Sequence, residues 1–152
     1  MKIIVVYDSV FGNTEKAAAF MGEALGATLT RVTDTVDIKD ADMLLVGSPT
    51  RAFRPTPAIT AWLKKLPAGT LSGLRAAAFD TRISAEEADS AVLKKMMKRF
   101  GYAAQRIHKA LKKKGADMAA EPEGFYVAQS EGPLKDGEMQ RALAWARSFT
   151  QS

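Results

Sequence analysis

The chain has 152 residues, 47% of them hydrophobic and 26% charged, which is typical of a globular protein with a substantial core. It contains no cysteine, so disulfides, thiol nucleophiles and Cys-ligated zinc or iron–sulfur sites are excluded. No apolar run approaches the roughly 20 residues of a membrane span, and the strand-like N-terminus is not expected to be a signal peptide. We therefore expect a single cytoplasmic domain over residues 1–152, with a formal charge of +5.

The first predicted element is a strand buried on both faces, because residues 3–7 form a continuous apolar run. A short polar loop follows, and a helix begins at about Thr14. This order favours a phosphate site, since the unpaired N–H groups of a first helical turn and the helix dipole both attract an anion. Ser9, Asn13 and Thr14 can each donate a hydrogen bond, and Gly12 lets the backbone come close. The spacing is neither a Walker P-loop nor the dinucleotide motif.

The rest of the chain alternates between predicted strands and helices. Thr56 and Pro57 are suited to the N-cap and first position of the second helix. Further helices are expected from about 85 to 100, 102 to 114 and 137 to 149, and further strands at 27–32, 42–47, 74–79 and, in two pieces, 116–120 and 125–128. Because the central strands are continuously apolar, the pattern predicts an α/β fold whose parallel sheet is covered on both sides.

The helix predicted to begin at about Ala85 follows a capping box formed by Ser84 and Glu87. Its expected core face consists of Val92, Leu93, Met96, Met97 and Phe100. Glu86, Glu87 and Asp89 are interpreted as carboxylates that favour a helix start rather than as metal ligands. His108 is expected on the surface, so neither a metal site nor a catalytic acid, base or nucleophile is predicted.

Two motifs resemble those of a known family. Val5-Val6-Tyr7-x-Ser9-x-x-Gly12-Asn13-Thr14, with Ala18 after it, resembles the FMN-phosphate loop of flavodoxins, and Gly47-Ser48-Pro49-Thr50 resembles the start of their second flavin loop. The match covers nearly the whole chain and is similar to the short-chain group. It implies a flavodoxin-like three-layer sandwich with a five-stranded parallel sheet of order 2-1-3-4-5. Phe11 departs from the pattern, because many flavodoxins have a hydroxyl there, and the third loop lacks the usual aromatic.

The resemblance places three FMN-binding loops where the strand order reverses, outside the carboxyl ends of the strands. To the phosphate it assigns Ser9, Val10, Phe11, Gly12, Asn13 and Thr14. To one face of the flavin it assigns Ser48, Pro49, Thr50, Arg51, Ala52 and Phe53, and to the other face Asp80, Thr81 and Arg82. Phe53 is the candidate for stacking on the ring; alternatively it packs beneath its own loop.

Three arginines, Arg51, Arg54 and Arg82, lie on the predicted flavin loops. A positive charge about 6 Å from the ring, at an effective dielectric of ~20, would favour an anionic reduced flavin by roughly 2–3 kcal/mol. For a one-electron couple this is on the order of 100 mV. We therefore predict a less strongly reducing flavin than in the typically acidic flavodoxins. The alternative is that these arginines point into solvent or pair with carboxylates.

A basic run extends from Lys94 to Lys114, with nine Lys or Arg and no Asp or Glu. It could dock an acidic redox partner, nucleic acid or an anionic membrane surface. Because its lysines lie opposite the predicted apolar stripes, an ordinary solvated helix surface is the favoured interpretation. No nucleic-acid recognition module accompanies it. The helix at 85–100 is alternatively an insertion that shapes access to the flavin.

The sequence therefore predicts an FMN-binding protein that acts in electron transfer, with a redox partner protein and no specific nucleic acid. Two alternatives stay open. One is a docking module of the same fold that has lost flavin, which Phe11 and the missing third-loop aromatic suggest. The other is a small FMN-dependent enzyme that reduces quinones.

Overall fold

The structure is a computed structural model that describes residues 1–85 and 90–151. Its centre is a parallel sheet. The strands are β1 (Ile3–Tyr7), β2 (Thr28–Arg31), β3 (Met43–Pro49), β4 (Arg75–Arg82), β5 (Asp117–Met118) and β6 (Glu123–Tyr126). The helices are α1 (Asn13–Leu25), α2 (Pro57–Lys65), α3 (Ala91–Phe100), α4 (Ala103–Lys113) and α5 (Glu138–Thr150).

The strand order is β2-β1-β3-β4-β5, and β6 pairs with β4 as well. β5 pairs with the start of β4 at Arg75 and Ala76, whereas β6 pairs with its end from Phe79 to Arg82. The last strand of the sheet is therefore split into two pieces along one neighbour. The predicted order and the split into two pieces are confirmed, but the second piece was predicted at 125–128 and spans Glu123–Tyr126.

Two apolar cores cover the two faces of the sheet, because successive side chains of a strand point to opposite sides. Ile4 and Val6 of β1 pack with the residues of α2 and α4, and Val5 packs with those of α1 and α5. Thr56 caps α2 as predicted, since its hydroxyl oxygen accepts a hydrogen bond from the Ile59 N–H at 3.4 Å. The result is a three-layer α/β sandwich.

The prediction for the helix at 85–100 is wrong in two respects. The helix begins at Ala91, where the Ser90 hydroxyl accepts from the Leu93 N–H at 3.1 Å. Of the five residues expected to face the core, Met97 alone is buried. Glu86, Glu87 and Asp89 lie outside the described residues.

The physical reason for this exposure is that the sheet surface beside α3 is already occupied. α4 follows α3 almost directly and covers the sheet with Ala104, Ile107 and Leu111, all of which are fully buried. α3 consequently lies beyond the carboxyl end of β4 instead of over the sheet. Within the described residues, no helix has the length and apolar character that crossing a membrane requires.

Candidate functional site

The first loop joins β1 to α1 and leaves several backbone donors free. Gly12 is the N-cap of α1 and has φ of 93°, which a residue with a side chain rarely adopts. The Ser9 hydroxyl oxygen accepts from the N–H groups of Gly12 at 3.1 Å and Glu15 at 3.4 Å. Within residues 1–85 and 90–151, the N–H groups of this loop that have no partner are those of Val10, Phe11, Asn13 and Thr14. Free N–H groups at a helix N-terminus are an anion-binding arrangement.

The carboxylate of Asp8 fixes the position of this loop through hydrogen bonds to neighbouring elements. One carboxylate oxygen accepts from the Thr56 hydroxyl at 2.5 Å. The other accepts from the Ser9 N–H at 2.9 Å and lies 3.3 Å from Arg31 Nη1. Asp8 thus ties the first loop to the start of α2 and to the edge strand β2, which holds the free N–H groups in place.

The side chains of Asn13 and Thr14 are buried at the base of the loop. The Thr14 hydroxyl lies 2.7 Å from the Thr81 hydroxyl, at the end of β4. Asn13 Nδ2 donates to the Glu131 carbonyl at 3.1 Å. These side chains brace the first loop against its neighbours, and their backbone N–H groups remain free.

Sequence reasoning missed the contribution of residues 127–134, which follow β6. Val127 and Ser130 line the cleft beside the first loop. A Cβ added at Gly132 would overlap the Asn13 carboxamide, so this segment packs directly onto the first loop. The sequence did contain a signal for this contribution. Residues 127–134 begin at the end of the last predicted strand, and the carboxyl ends of all parallel strands lie at the same edge of the sheet.

The second loop contains a tight turn. Arg51 and Arg54 exchange backbone hydrogen bonds of 2.8 and 3.0 Å, and both central residues, Ala52 and Phe53, have positive φ of 48° and 69°. Positive φ at both central positions is the pattern of a type I′ turn. Neither residue is glycine, and such conformations cluster at functional sites.

Two residues predicted to bind the flavin are buried beneath these loops. The Ser48 hydroxyl accepts from the Thr56 N–H at 3.0 Å and donates to the Pro49 carbonyl at 2.9 Å. Asp80 is fully buried and accepts from the Ala104 N–H at 2.8 Å. The side chains of Ser48 and Asp80 hold the loops in place and do not line the cleft.

Arg82 pairs with Asp80 through two hydrogen bonds, each of 2.7 Å. Its guanidinium also lies 3.7 Å from the centre of the Tyr102 ring. Burial raises the pKa of the Asp80 carboxyl above its ordinary value, and the Arg82 guanidinium acts in the opposite direction. For Arg82, the alternative of pairing with a carboxylate is therefore correct.

The other two arginines are exposed but point to different places. Arg51 lines the polar cleft, with its guanidinium 5.3 Å from the centre of the Phe11 ring. Arg54 lines a separate groove between α2 and α4, together with Arg106 and Lys113. Of the three arginines, Arg51 alone carries an unpaired charge into the cleft in the part of the chain that the structure describes.

Two adjoining cavities lie at this edge of the sheet. A polar cleft of about 230 Å³ is lined by the first loop, the turn at Arg51 and Thr81. A larger cavity of about 440 Å³ is mainly apolar. Its walls include Phe53, Ile83, Leu93, Met97 and Tyr102. Both cavities are lined by Thr50, Ala52, Ile83 and Ser130, so they adjoin, and we treat them together as the candidate site.

The donor set fits a mononucleotide. Free N–H groups and hydroxyls in the polar cleft suit a phosphate, and the neighbouring apolar cavity suits a flat ring. Phe53 lines this cavity, and its ring centre also lies 5.7 Å from that of Phe100. Its stacking on a flavin stays a prediction.

No family model and no curated protein matches this chain. Solved structures do. Oxidised flavodoxin 1 from Bacillus cereus superposes with a TM-score of 0.75 at 17% identity, covering 98% of this chain and 97% of that one. A short-chain flavodoxin associated with a non-canonical PDU bacterial microcompartment gives a TM-score of 0.69 at 18% identity, covering 98% of this chain and 97% of that one. The flavodiiron protein from Giardia intestinalis gives 0.72 at 20% identity, with 97% of this chain matching 35% of that one. Similarity at this level shows a shared fold.

Proposed function

We propose that this chain, which has the flavodoxin-like fold, binds one FMN non-covalently and transfers electrons through it. The observation that carries the proposal is that two cavities adjoin, one with free N–H groups at the start of α1 and one with apolar walls. The flavin would supply the electron-transfer chemistry, and the chain would supply binding, orientation and electrostatics.

The first loop would hold the phosphate. Its free N–H groups, from Val10, Phe11, Asn13 and Thr14, are backbone donors, so the phenyl ring at position 11 removes none of them. Ser9 adds a hydroxyl donor, because its oxygen accepts two hydrogen bonds and its hydrogen remains free. Compared with many flavodoxins, the loop therefore lacks one hydroxyl donor at position 11, but it keeps all four free backbone N–H donors.

The second and third loops would hold the ring. Thr50, Ala52 and Phe53 line the apolar cavity on one side. Ile83 and Tyr102 line it on the other, where the third loop lacks the usual aromatic. Residues 127–134 would close the site from above the first loop.

A second candidate function is FMN-dependent reduction of a small apolar substrate such as a quinone. It is favoured by the size and apolar walls of the cavity beside α3. Turnover of NAD(P)H with a quinone, without an added reductase, would support this function. The location in the cytoplasm and the single-domain organisation stay predictions.

A titration of the flavin-free protein with FMN and with riboflavin, followed by flavin fluorescence, tests the proposal. Riboflavin lacks the phosphate, so we expect FMN to bind at one per chain and about a hundredfold more tightly, as several charge-assisted hydrogen bonds would give. The double variant Asn13→Ala/Thr14→Ala should weaken the binding of FMN and leave the binding of riboflavin unchanged. The exposed Thr33→Ala is the control and should change neither. Equal affinity for the two flavins, or no binding of either, would refute the proposal.

A further inference from the structure

Helix α3 presents an apolar face to solvent. Val92 is 68% exposed, Leu93 37%, Met96 39% and Phe100 45%. We call these four residues the α3 face. Their spacing places them along one side of the helix. A contiguous patch of exposed apolar side chains typically marks an interaction site.

The α3 face borders the proposed flavin site. Leu93 and Met97 form part of the wall of the apolar cavity. The Phe100 ring packs against Phe53, whose turn lines the same cavity. A protein bound to the α3 face would therefore lie beside the flavin ring, where electron transfer needs it.

Helix α3 carries four positive charges beside this apolar face. Lys94, Lys95, Lys98 and Arg99 are all exposed, and none forms an ion pair with another described residue. Residues 86–89, which lie outside the description, contribute three carboxylates by sequence. Residues 90–100, which comprise α3 and its N-cap, carry a net charge of +4, and residues 86–100 together carry +1.

We propose that the α3 face is the docking site for an acidic electron-transfer protein that carries an apolar patch ringed by carboxylates. The identity of this partner as an electron carrier rests on the proposed function; its charge and apolar character follow from α3 itself. A second copy of the chain is a poor occupant, because a two-fold interface would place cations against cations. A bilayer is also a poor occupant, because Leu93 and Phe100 are engaged with the cavity and Phe53, which leaves Val92 and Met96 to insert.

The test uses an acidic plant-type [2Fe–2S] ferredoxin as the probe and basic cytochrome c as the opposite-charge control. Binding is measured by calorimetry, with and without FMN, at about 20 mM and about 200 mM salt, concentrations that bracket strong and weak screening. We expect the ferredoxin to bind more weakly at the higher salt and cytochrome c not to bind.

Two variants locate the site. Lys94→Glu/Lys98→Glu should weaken ferredoxin binding by about tenfold at low salt. The matched control is Lys112→Glu/Lys113→Glu, which makes the same charge change at the end of α4 and should have less than about a third of that effect. Val92→Ser/Met96→Ser alters exposed side chains alone and should weaken binding by about threefold at both salt concentrations, since apolar burial is not screened.

Each result decides the question. Equal losses in the two charge variants would overturn the proposal, because binding would follow overall charge rather than the α3 face. Failure of the ferredoxin to bind would also overturn it, as would Val92-dependent binding to phosphatidylserine vesicles or self-association in sedimentation. Ferredoxin binding that persists without FMN supports the docking site even if the chain fails to bind flavin, so the two proposals fail separately.

Discussion

The hydroxyl oxygens of Thr14 and Thr81 lie 2.7 Å apart, and both residues line the polar cleft. Thr14 belongs to the first turn of α1 and Thr81 to the end of β4, and both are at most 4% exposed. Each hydroxyl is the other's partner within the described residues. This hydrogen bond therefore braces the first loop against the third loop, in the wall of the cleft proposed for the phosphate.

A double-mutant cycle measures this coupling. Thr14→Val and Thr81→Val each leave the other hydroxyl buried without a partner, so each should lower the free energy of unfolding by about 1–3 kcal/mol. The double variant leaves no unpaired hydroxyl, so it should cost less than the sum of the two by roughly 0.5–1.5 kcal/mol. Urea unfolding of the four proteins gives the values. Strict additivity would contradict the pairing.

The packing of residues 127–134 onto the first loop gives a second prediction. Gly132 has φ of 101°, and an added Cβ would overlap the Asn13 carboxamide. Gly137 has φ of 84° with nothing within 4 Å of an added Cβ. Gly137→Ala therefore adds backbone strain of roughly 1–2 kcal/mol, whereas Gly132→Ala adds strain plus a steric clash and should cost at least about 1 kcal/mol more.

Thermal and urea unfolding distinguish these two glycine variants in stability, and the FMN titration distinguishes them in function. Gly132→Ala should also weaken FMN binding, because it displaces Asn13, whereas Gly137→Ala should leave FMN affinity unchanged. Equal effects of the two variants on both measurements would show that the segment does not support the first loop.

Much of this architecture could be predicted from the sequence because local patterns determine it. Continuous apolar runs such as Ile3–Tyr7 identify strands buried on both faces, and Gly12 marks the turn into α1. The strand order came with the family resemblance, and the structure confirms it.

One wrong prediction and one that stayed open share a different cause: both depend on tertiary neighbours, which a local sequence pattern does not identify. The apolar spacing of Val92 and Met96 in α3 has the same period as that of Ile107 and Leu111 in α4. The period alone does not show which of the two helices packs against the sheet. For Arg82, pairing with a carboxylate was one of two alternatives, and Asp80 was not identified as the partner because β4 was predicted to end at Phe79. Once β4 extends to Arg82, residues 80 and 82 lie on the same face, and their pairing follows.

Glu138 gives a prediction about pH. Its carboxylate accepts from Arg141 Nε at 2.9 Å and from the Tyr126 N–H at 2.7 Å, which ties α5 to β6. The Arg141 hydrogen bond is the main cause that lowers the pKa of Glu138 below its ordinary value of 4.5. A lowered pKa in the folded state stabilises the protein above pH 4.5, and this stabilisation is lost as the pH falls through the folded-state value.

Glu138→Gln should therefore cost about 1–2 kcal/mol of unfolding free energy at pH 7, and the difference from the wild type should shrink in acid. Guanidinium unfolding at pH 7 and again well below pH 4.5 measures both values. The exposed Glu121→Gln is the control and should have an effect within about 0.5 kcal/mol at both pH values. A difference that grows in acid would contradict the assigned sign.

Gly47 gives a prediction about the core between β3 and β4. It pairs with Phe79 across the two strands, and a Cβ at this position would overlap the Phe79 ring. Gly47→Ala should therefore destabilise the protein by about 1–3 kcal/mol through overpacking. Gly22→Ala is the contrasting variant: it lies within α1, where an added Cβ would make an ordinary 3.9 Å contact with Leu29. It should stabilise the protein by roughly 0.5–1 kcal/mol. If urea unfolding showed that both variants change the free energy of unfolding in the same direction, the packing described at Gly47 would be contradicted.

The last prediction concerns the reduction potential of the bound flavin, and it separates the three arginines that the sequence placed together. Arg82 is neutralised by Asp80, and Arg54 faces the groove between α2 and α4. Arg51 lines the polar cleft and has no carboxylate partner among the described residues. The expected shift to a less reducing potential therefore depends on Arg51.

Arg51→Gln should make the bound FMN more strongly reducing. Because Arg51 is exposed and partly screened, the change should be a few tens of mV and not the roughly 100 mV of a close, unscreened charge. Arg54→Gln removes the same charge from the neighbouring groove and should shift the potential by less than about a third as much. Potentiometric titration of the two FMN-loaded variants at low and high salt provides the measurement, and the Arg51 effect should diminish at high salt. Equal shifts in both variants would mean that the flavin potential responds to the overall charge of the protein rather than to the Arg51 guanidinium in the adjoining polar cleft.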